Sequence, residues 1–366
     1  MRAANAIDFW RGFALVNIFV NHIPGNFYSG TTLRNFAISD AAELFVFLAG
    51  WSLSQATGGS RRGPETSAQV THRVMNRSLV LYQAHLATTV VALAMLSLTA
   101  VIRSNPLFLE WLNAGAIFYD SPRAIVGLTL LTFQLGYFNI LPLYVVLLAV
   151  APVFLLAARW SKSAAMALSL LLYATALTTG LVPPSWPSQD QWFFNPLSWQ
   201  LLLVSGFVMA EMSRESDRLE KLAKRLMPLA ILLVMVGASL VLARWHPDPL
   251  RVPQPRLLFI FDKHFLSPAR VVSLLALVVA FHAVFPVLAR WLGPVSDYMC
   301  KLGRNSLPVF CVGSLLSLVG QIVRFVAGGN FAIDTAIIIG GIVVMGFTAW
   351  FSEWREASSP KSQPGS

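Results

Sequence analysis

IDFWRGFALVNIFVNHIPG, residues 7–25, and SDAAELFVFLAGW, residues 39–51, are the two stretches on which the reading of this chain turns. Both are apolar enough to leave water, yet both carry ionisable side chains. Asp8 and Arg11 stand three residues apart and so share a face of the first helix. His22 follows eleven residues after Arg11, roughly 16 Å further along a helix axis. Asp40 and Glu43 repeat the three-residue spacing where the second stretch opens. A charge at the centre of a bilayer costs at least ~2.5 kcal/mol, so ionisable groups inside apolar helices are candidates for function before anything else is known.

The rest of the chain reads as scaffold for these two segments. Of 366 residues, 56% are hydrophobic and only 12% charged, a balance that indicates a polytopic helical membrane protein. Ten apolar runs are candidate spans: 7–27, 38–56, 74–102, 140–158, 163–182, 198–212, 227–245, 268–290, 305–327 and 333–351. The expected fold is therefore all-α, a transmembrane bundle of about ten helices forming one domain over 1–356. A polar, disordered cytoplasmic tail over 357–366 completes it.

Basic residues concentrate in alternate short loops, which sets the topology by the positive-inside rule. With both termini cytoplasmic, two thirds of the 27 lysines and arginines face the cytoplasm, including the loop RESDRLEKLAKR at 214–225. Counting 124–136 as a full span would turn that loop outward, so this segment is expected to be re-entrant or interfacial. The net charge of +10 thus reflects topology and does not point to nucleic acid. The first apolar run has no small-residue cleavage site after it and reads as a retained helix. Cys300 and Cys311 are expected to be unpaired thiols.

Across two helices that run in opposite directions, His22 and Glu43 reach a similar depth near the outer side. A carboxylate beside an imidazole fixes its tautomer and raises its basicity, as a general base requires. The plainer reading is a structural hydrogen bond between helices, and Asp40 can equally well cap the second helix. Asp8 and Arg11 lie at the cytoplasmic end, where Arg61, Arg62, Arg73, Arg77, Lys301 and Arg304 also gather. Such a cluster suits a polyanion such as a nucleotide diphosphate, against the plainer reading of positive-inside bias alone.

On the outer side, the loops mix rings with amides and charges: Trp186 and Trp192 within 183–197, and Asp262 and Lys263 before Arg270. This chemistry suits a sugar surface, although an aromatic belt is its ordinary alternative. Asn139 and Tyr144 open the fourth span. Gln200 is an amide in an apolar run, and His282 reads as a satisfied core residue. No ligand spacing suggests a metal, and no phosphate-loop or serine-hydrolase motif is present.

The Arg11–His22 spacing resembles the first-helix arginine–histidine motif of transmembrane acyltransferases, among them bacterial polysaccharide O-acetyltransferases and the lysosomal heparan acetyltransferase. More narrowly, IDFWRG with NHIPG, SDAAELFVFLAGW, YFNILPLY at 137–144 and GRNSLPVF at 303–310 resemble, in that order, the OpgC family. The resemblance implies an enzyme of the bacterial inner membrane that moves a succinyl group from cytoplasmic succinyl-CoA to hydroxyls of osmoregulated periplasmic glucans. It carries the base to His22 and the arginine role to Arg11; the residues themselves add Glu43 and Asp40 as candidate carboxylates beside His22, and Asp8, Arg73, Arg77 and Arg304 as candidate donor contacts with Arg11. Asn139, Tyr144, Trp186, Trp192, Asp262, Lys263 and Arg270 are then candidate acceptor or acyl contacts.

No tightly bound cofactor is expected, only acyl-CoA as co-substrate and a glucan acceptor, with membrane lipid around the protein. A homo-oligomer or a glucan-synthesis complex stays open. The alternatives are acetyl transfer to another envelope polysaccharide, a transporter for a glycan or acyl-donor precursor, and a scaffold without chemistry. The transporter lacks the expected inverted repeat.

Overall fold

The computed structural model describes residues 5–57, 66–188 and 191–358. Arg61, Arg62 and residues 359–366 of the expected tail lie outside the described residues. Among the described residues thirteen α-helices follow in chain order: α1 Ala6–Asn21, α2 Ala41–Thr57, α3 Ser67–Ile102, α4 Gly115–Tyr119, α5 Ser121–Thr129, α6 Ile140–Trp160 and α7 Lys162–Thr179. Next come α8 Pro196–Glu215, α9 Arg218–Leu242, α10 Pro268–Trp291, α11 Gly293–Arg304, α12 Ser306–Ala327 and α13 Phe331–Ser358. No strand occurs among the described residues, only an isolated bridge between Pro184 and Gln191.

Each of the ten apolar runs contains a long helix. Six of these, α3, α6, α9, α10, α12 and α13, are long and apolar enough to cross a membrane. At 16 and 17 residues, α1 and α2 fall at or below the usual spanning length of ~17. The run at 124–136 is not a single element: α5 ends at Thr129 and the chain then turns, with left-handed backbone at Leu131 and Tyr137. Residues 103–123 hold a short 3-10 helix and α4. Helix α13 continues to Ser358, so Ala357 and Ser358 are helical and not part of a tail.

The chain divides into two compact units, Met1–Thr32 with Val284–Ser366, and Leu33–Ala283. In the first, α1 crosses α11 at very short range. A Cβ on Gly12 would meet the Met299 carbonyl, and one on Gly303 would meet that of Asp8. This gives the GRNSLPVF motif its opening glycine, and Asn305 breaks the helix so that α12 starts at Ser306. Partners along α1 and α12 climb together. Arg11 reaches Ser306, the Phe19 carbonyl accepts from Ser317 at 3.1 Å, and the His22 carbonyl accepts from Gln321 at 2.6 Å. The two helices are therefore parallel, while α13 returns antiparallel to α12, with Met345 against Gly313 and Asp334 against Arg324. Cys300 lies in α11, not in a loop. It is buried and free, and burial pushes its thiol pKa up, which makes it inert.

In the second unit, α2 and α8 cross as closely. A Cβ on Gly50 would strike the Leu203 carbonyl and one on Gly206 that of Phe47. Backbone cannot step aside as a side-chain tip can, so Gly50→Ala is expected to lose about 1–3 kcal/mol, the usual range for overpacking. The midpoint of thermal unfolding in detergent measures it. An unchanged midpoint would mean that α2 and α8 slide apart without cost. Ser78 ties α3 to the Val145 carbonyl of α6. Gln200 exchanges hydrogen bonds with Ser169 and its carbonyl, joining α8 to α7, so that amide is structural. His282 is exposed, not a core residue.

Candidate active site

His22 takes its place from the end of α1. Its N–H closes the last turn on the Ile18 carbonyl at 3.0 Å. Pro24 follows, which cannot donate to a further turn, and Gly25 adopts φ +74°, where glycine alone is unstrained. Below His22, a slit runs between α1, α12 and α13, lined by Leu15, Phe19, Phe310, Ser314 and Met345 among others. The slit is too narrow to admit a water molecule. Ser314 is 4% exposed, and its hydroxyl has no hydrogen-bond partner among the described residues. The slit is apolar apart from the buried hydroxyls of Ser314 and Ser317 and the imidazole of His22 at its head.

At the opposite end of α1, Arg11 is largely buried, pairs with Asp8 at 4.0 Å and reaches Ser306. Arg304 is held by Glu353 at 3.0 Å. The first unit thus brings Asp8, Arg11 and His22 onto one helix, with the arginine braced from α12.

The second unit gathers four charges. Lys263 donates to Asp40 at 2.5 Å. The Nε of Arg270 donates to Glu43 Oε1 at 2.6 Å, a terminal nitrogen also reaches that oxygen, and Asp40 Oδ2 lies 3.7 Å from the same guanidinium. Glu43 is fully buried. Its other oxygen accepts the Asp40 N–H at 3.1 Å, while Asp40 Oδ1 accepts the Ala42 N–H at 2.8 Å. The spacing of Asp40 and Glu43 is therefore also a reciprocal helix cap. Both oxygens of Glu43 are engaged within this unit.

A strap over 262–267 carries Lys263 and leads into α10, which carries Arg270. Asp262 accepts the Phe265 N–H at 2.7 Å, Tyr173 donates to the Leu266 carbonyl at 2.7 Å, and the indole of Trp199 donates to the Lys263 carbonyl at 3.1 Å. Lys263 also stands 5.8 Å from the centre of the Phe194 ring. Tyr144 donates to the Phe45 carbonyl of α2 at 2.8 Å, so its hydroxyl is occupied. Asn139 is half-buried just before α6. Trp186 is 42% exposed, whereas Trp192 is only 5% exposed and offers no ring to the surface, because the 183–197 loop folds it inward.

Arg73 donates to the Ala56 carbonyl at the end of α2 at 3.0 Å, and Arg77 is exposed. Helix α3 has 36 residues, about 54 Å, far longer than a ~30 Å hydrocarbon core. Its first turns carry His72, Arg73 and Asn76 around an open recess.

Two groups escaped sequence reasoning. His85 and Thr89, both fully buried on α3, have no side-chain hydrogen-bond partners among the described residues. Arg324 and the buried Asp334 form an ion pair against the turn that follows His22. Only the membership of a lone polar residue in an apolar run could have marked them.

A profile of the OpgC protein family matches residues 3–357, nearly the whole chain. The chain belongs to the OpgC family. Comparisons with characterised proteins and with solved structures yield no significant match. OpgC membership supports an acyltransferase-type role in glucan modification, and with the apolar helices it makes this a multi-pass membrane protein.

Proposed function

We propose that this OpgC-family protein is an inner-membrane O-acyltransferase that moves a succinyl group from cytoplasmic acyl-CoA to hydroxyls of periplasmic glucans, with His22 as general base. The observation that carries the reading is the placement of His22 at the head of the slit between α1, α12 and α13. In this reading the pantetheine arm parts α1 from α12 and presents its thioester to His22. Ser314 donates to a carbonyl of the bound arm.

His22 removes the proton from a sugar hydroxyl as its oxygen bonds to the thioester carbonyl. The tetrahedral intermediate collapses, the carbon–sulfur bond breaks, and the proton returns from the imidazole to the leaving thiolate. Arg11 is the donor contact of the first unit. In the second unit Arg73 and Arg77, beside the recess on α3, are the candidate phosphate contacts. Lys263 and Arg270 are already neutralised by Asp40 and Glu43. A charge-balanced quartet suits hydrogen bonding to a neutral polyol better than capture of another carboxylate, so we assign it to the glucan side of the reaction.

The test is consumption of succinyl-CoA by purified protein in detergent, with glucan as acceptor and no membrane gradient, read by the mass of the product. A succinyl increment supports the full reading, and an acetyl increment obtained only with acetyl-CoA moves the donor while keeping the mechanism. No turnover with either donor would favour the transporter.

A further inference from the structure

We propose that Gln321, Arg324 and Asp334 are positioning residues for His22, holding the main chain of residues 22–27 so that the imidazole keeps one place at the head of the slit. The proposal rests on the reading of His22 as the base. Where α1 stops, its last carbonyls lose their intrahelical partners. Those beyond the helix are met by side chains from α12 and α13. The His22 carbonyl accepts from Gln321 Nε2 at 2.6 Å, and the Gly25 carbonyl accepts from Arg324 Nη2 at 2.7 Å. The N–H of Phe27 donates to Asp334 Oδ2 at 2.8 Å.

The remaining valences lock Arg324 and Asp334 to each other. Arg324 Nη1 pairs with Asp334 Oδ1, and Asp334 is 3% exposed. Inside the turn, Asn26 Nδ2 donates to the Val20 carbonyl at 2.9 Å and the Ile23 carbonyl at 2.6 Å. An arginine–aspartate pair whose only task was to join α12 to α13 would need no contact with the turn. Here each partner spends a second polar atom on its main chain, one on a carbonyl and one on an N–H. The turn is thereby fixed at residues 22, 25 and 27, which leaves His22 little freedom beyond its own side-chain torsions. A base displaced by about 1 Å can lose on the order of 100-fold in rate, so a clamp on its backbone bears directly on turnover.

The experiment compares wild type, Gln321→Met, the charge swap Arg324→Asp with Asp334→Arg, and His22→Ala, each assayed for succinyl transfer and for thermal unfolding. Gln321→Met keeps the approximate volume and removes the amide, and with it the donor to the His22 carbonyl. It is expected to lower kcat by about 10- to 100-fold with little change in KM for either substrate or in the unfolding midpoint. The swap restores an ion pair between α12 and α13 but turns a carboxylate toward the Gly25 carbonyl. Its midpoint is expected to approach wild type while kcat stays low.

Wild-type kcat in the swap, or in Gln321→Met, alongside a dead His22→Ala protein would overturn the clamp and leave the base assignment standing. An active His22→Ala protein would overturn the base assignment and the clamp with it. Should the swap fail to fold, the uncharged Gln321→Met variant decides alone.

Discussion

His22→Ala is expected to abolish detectable acyl transfer from a protein that still folds. Among the described residues lining the slit, the imidazole is the one basic side chain, and loss of a general base typically removes about 10²- to 10⁴-fold of rate. The substitution leaves the helix end intact, because the hydrogen bonds of residue 22 to Ile18 and Gln321 are made by its main chain. Two measurements check this together. The first is the mass of periplasmic glucans from cells lacking the gene and complemented with wild type or variant. The second is the thermal midpoint of the purified variant. Near-normal glucan substitution with a folded His22→Ala protein would sink the mechanism.

The second large effect concerns stability. Arg270→Leu is expected to cost about 3–5 kcal/mol, the usual penalty for removing one partner of a buried ion pair. It strands the carboxylate of Glu43, which is fully buried, with the Asp40 N–H as its remaining hydrogen-bond donor among the described residues. Glu43→Gln should cost less, because Asp40 Oδ2 lies 3.7 Å from the Arg270 guanidinium and can still compensate it. The double variant should recover part of the loss, since neither charge then remains uncompensated. Denaturant or thermal unfolding in detergent supplies the cycle. A larger loss for Glu43→Gln than for Arg270→Leu would show that the arginine, not the glutamate, is the group that burial leaves exposed to penalty.

Much of the architecture was legible because lipid imposes a simple rule. A backbone in hydrocarbon must satisfy itself, so long apolar runs become helices, and all ten runs contain one. Boundaries were harder. The first run reads apolar to Phe27, but α1 stops at Asn21 because Pro24 and Gly25 end it. The amphipathic α11, whose sequence has the charge of a loop, is a helix because Gly303 lets it press against α1. Hydropathy carries no sign of such a contact.

Among the candidate site residues, sequence alone picked out Arg11, His22, Asp40 and Glu43, since an ionisable group in an apolar run is costly and so visible. It could not assign their partners. The spacing of Asp40 and Glu43 is equally a helix cap and a charge pair, and only the tertiary structure shows both uses at once, with Arg270 and Lys263 arriving from more than two hundred residues away. The clamp of Gln321, Arg324 and Asp334 on the turn after His22 was likewise invisible, because its acceptors and donor are main-chain groups identical in every sequence. Sequence determined which segments leave water and which charged groups go with them. Tertiary structure decided which charges neutralise one another and which main-chain groups they hold, because those depend on distances that only packing sets.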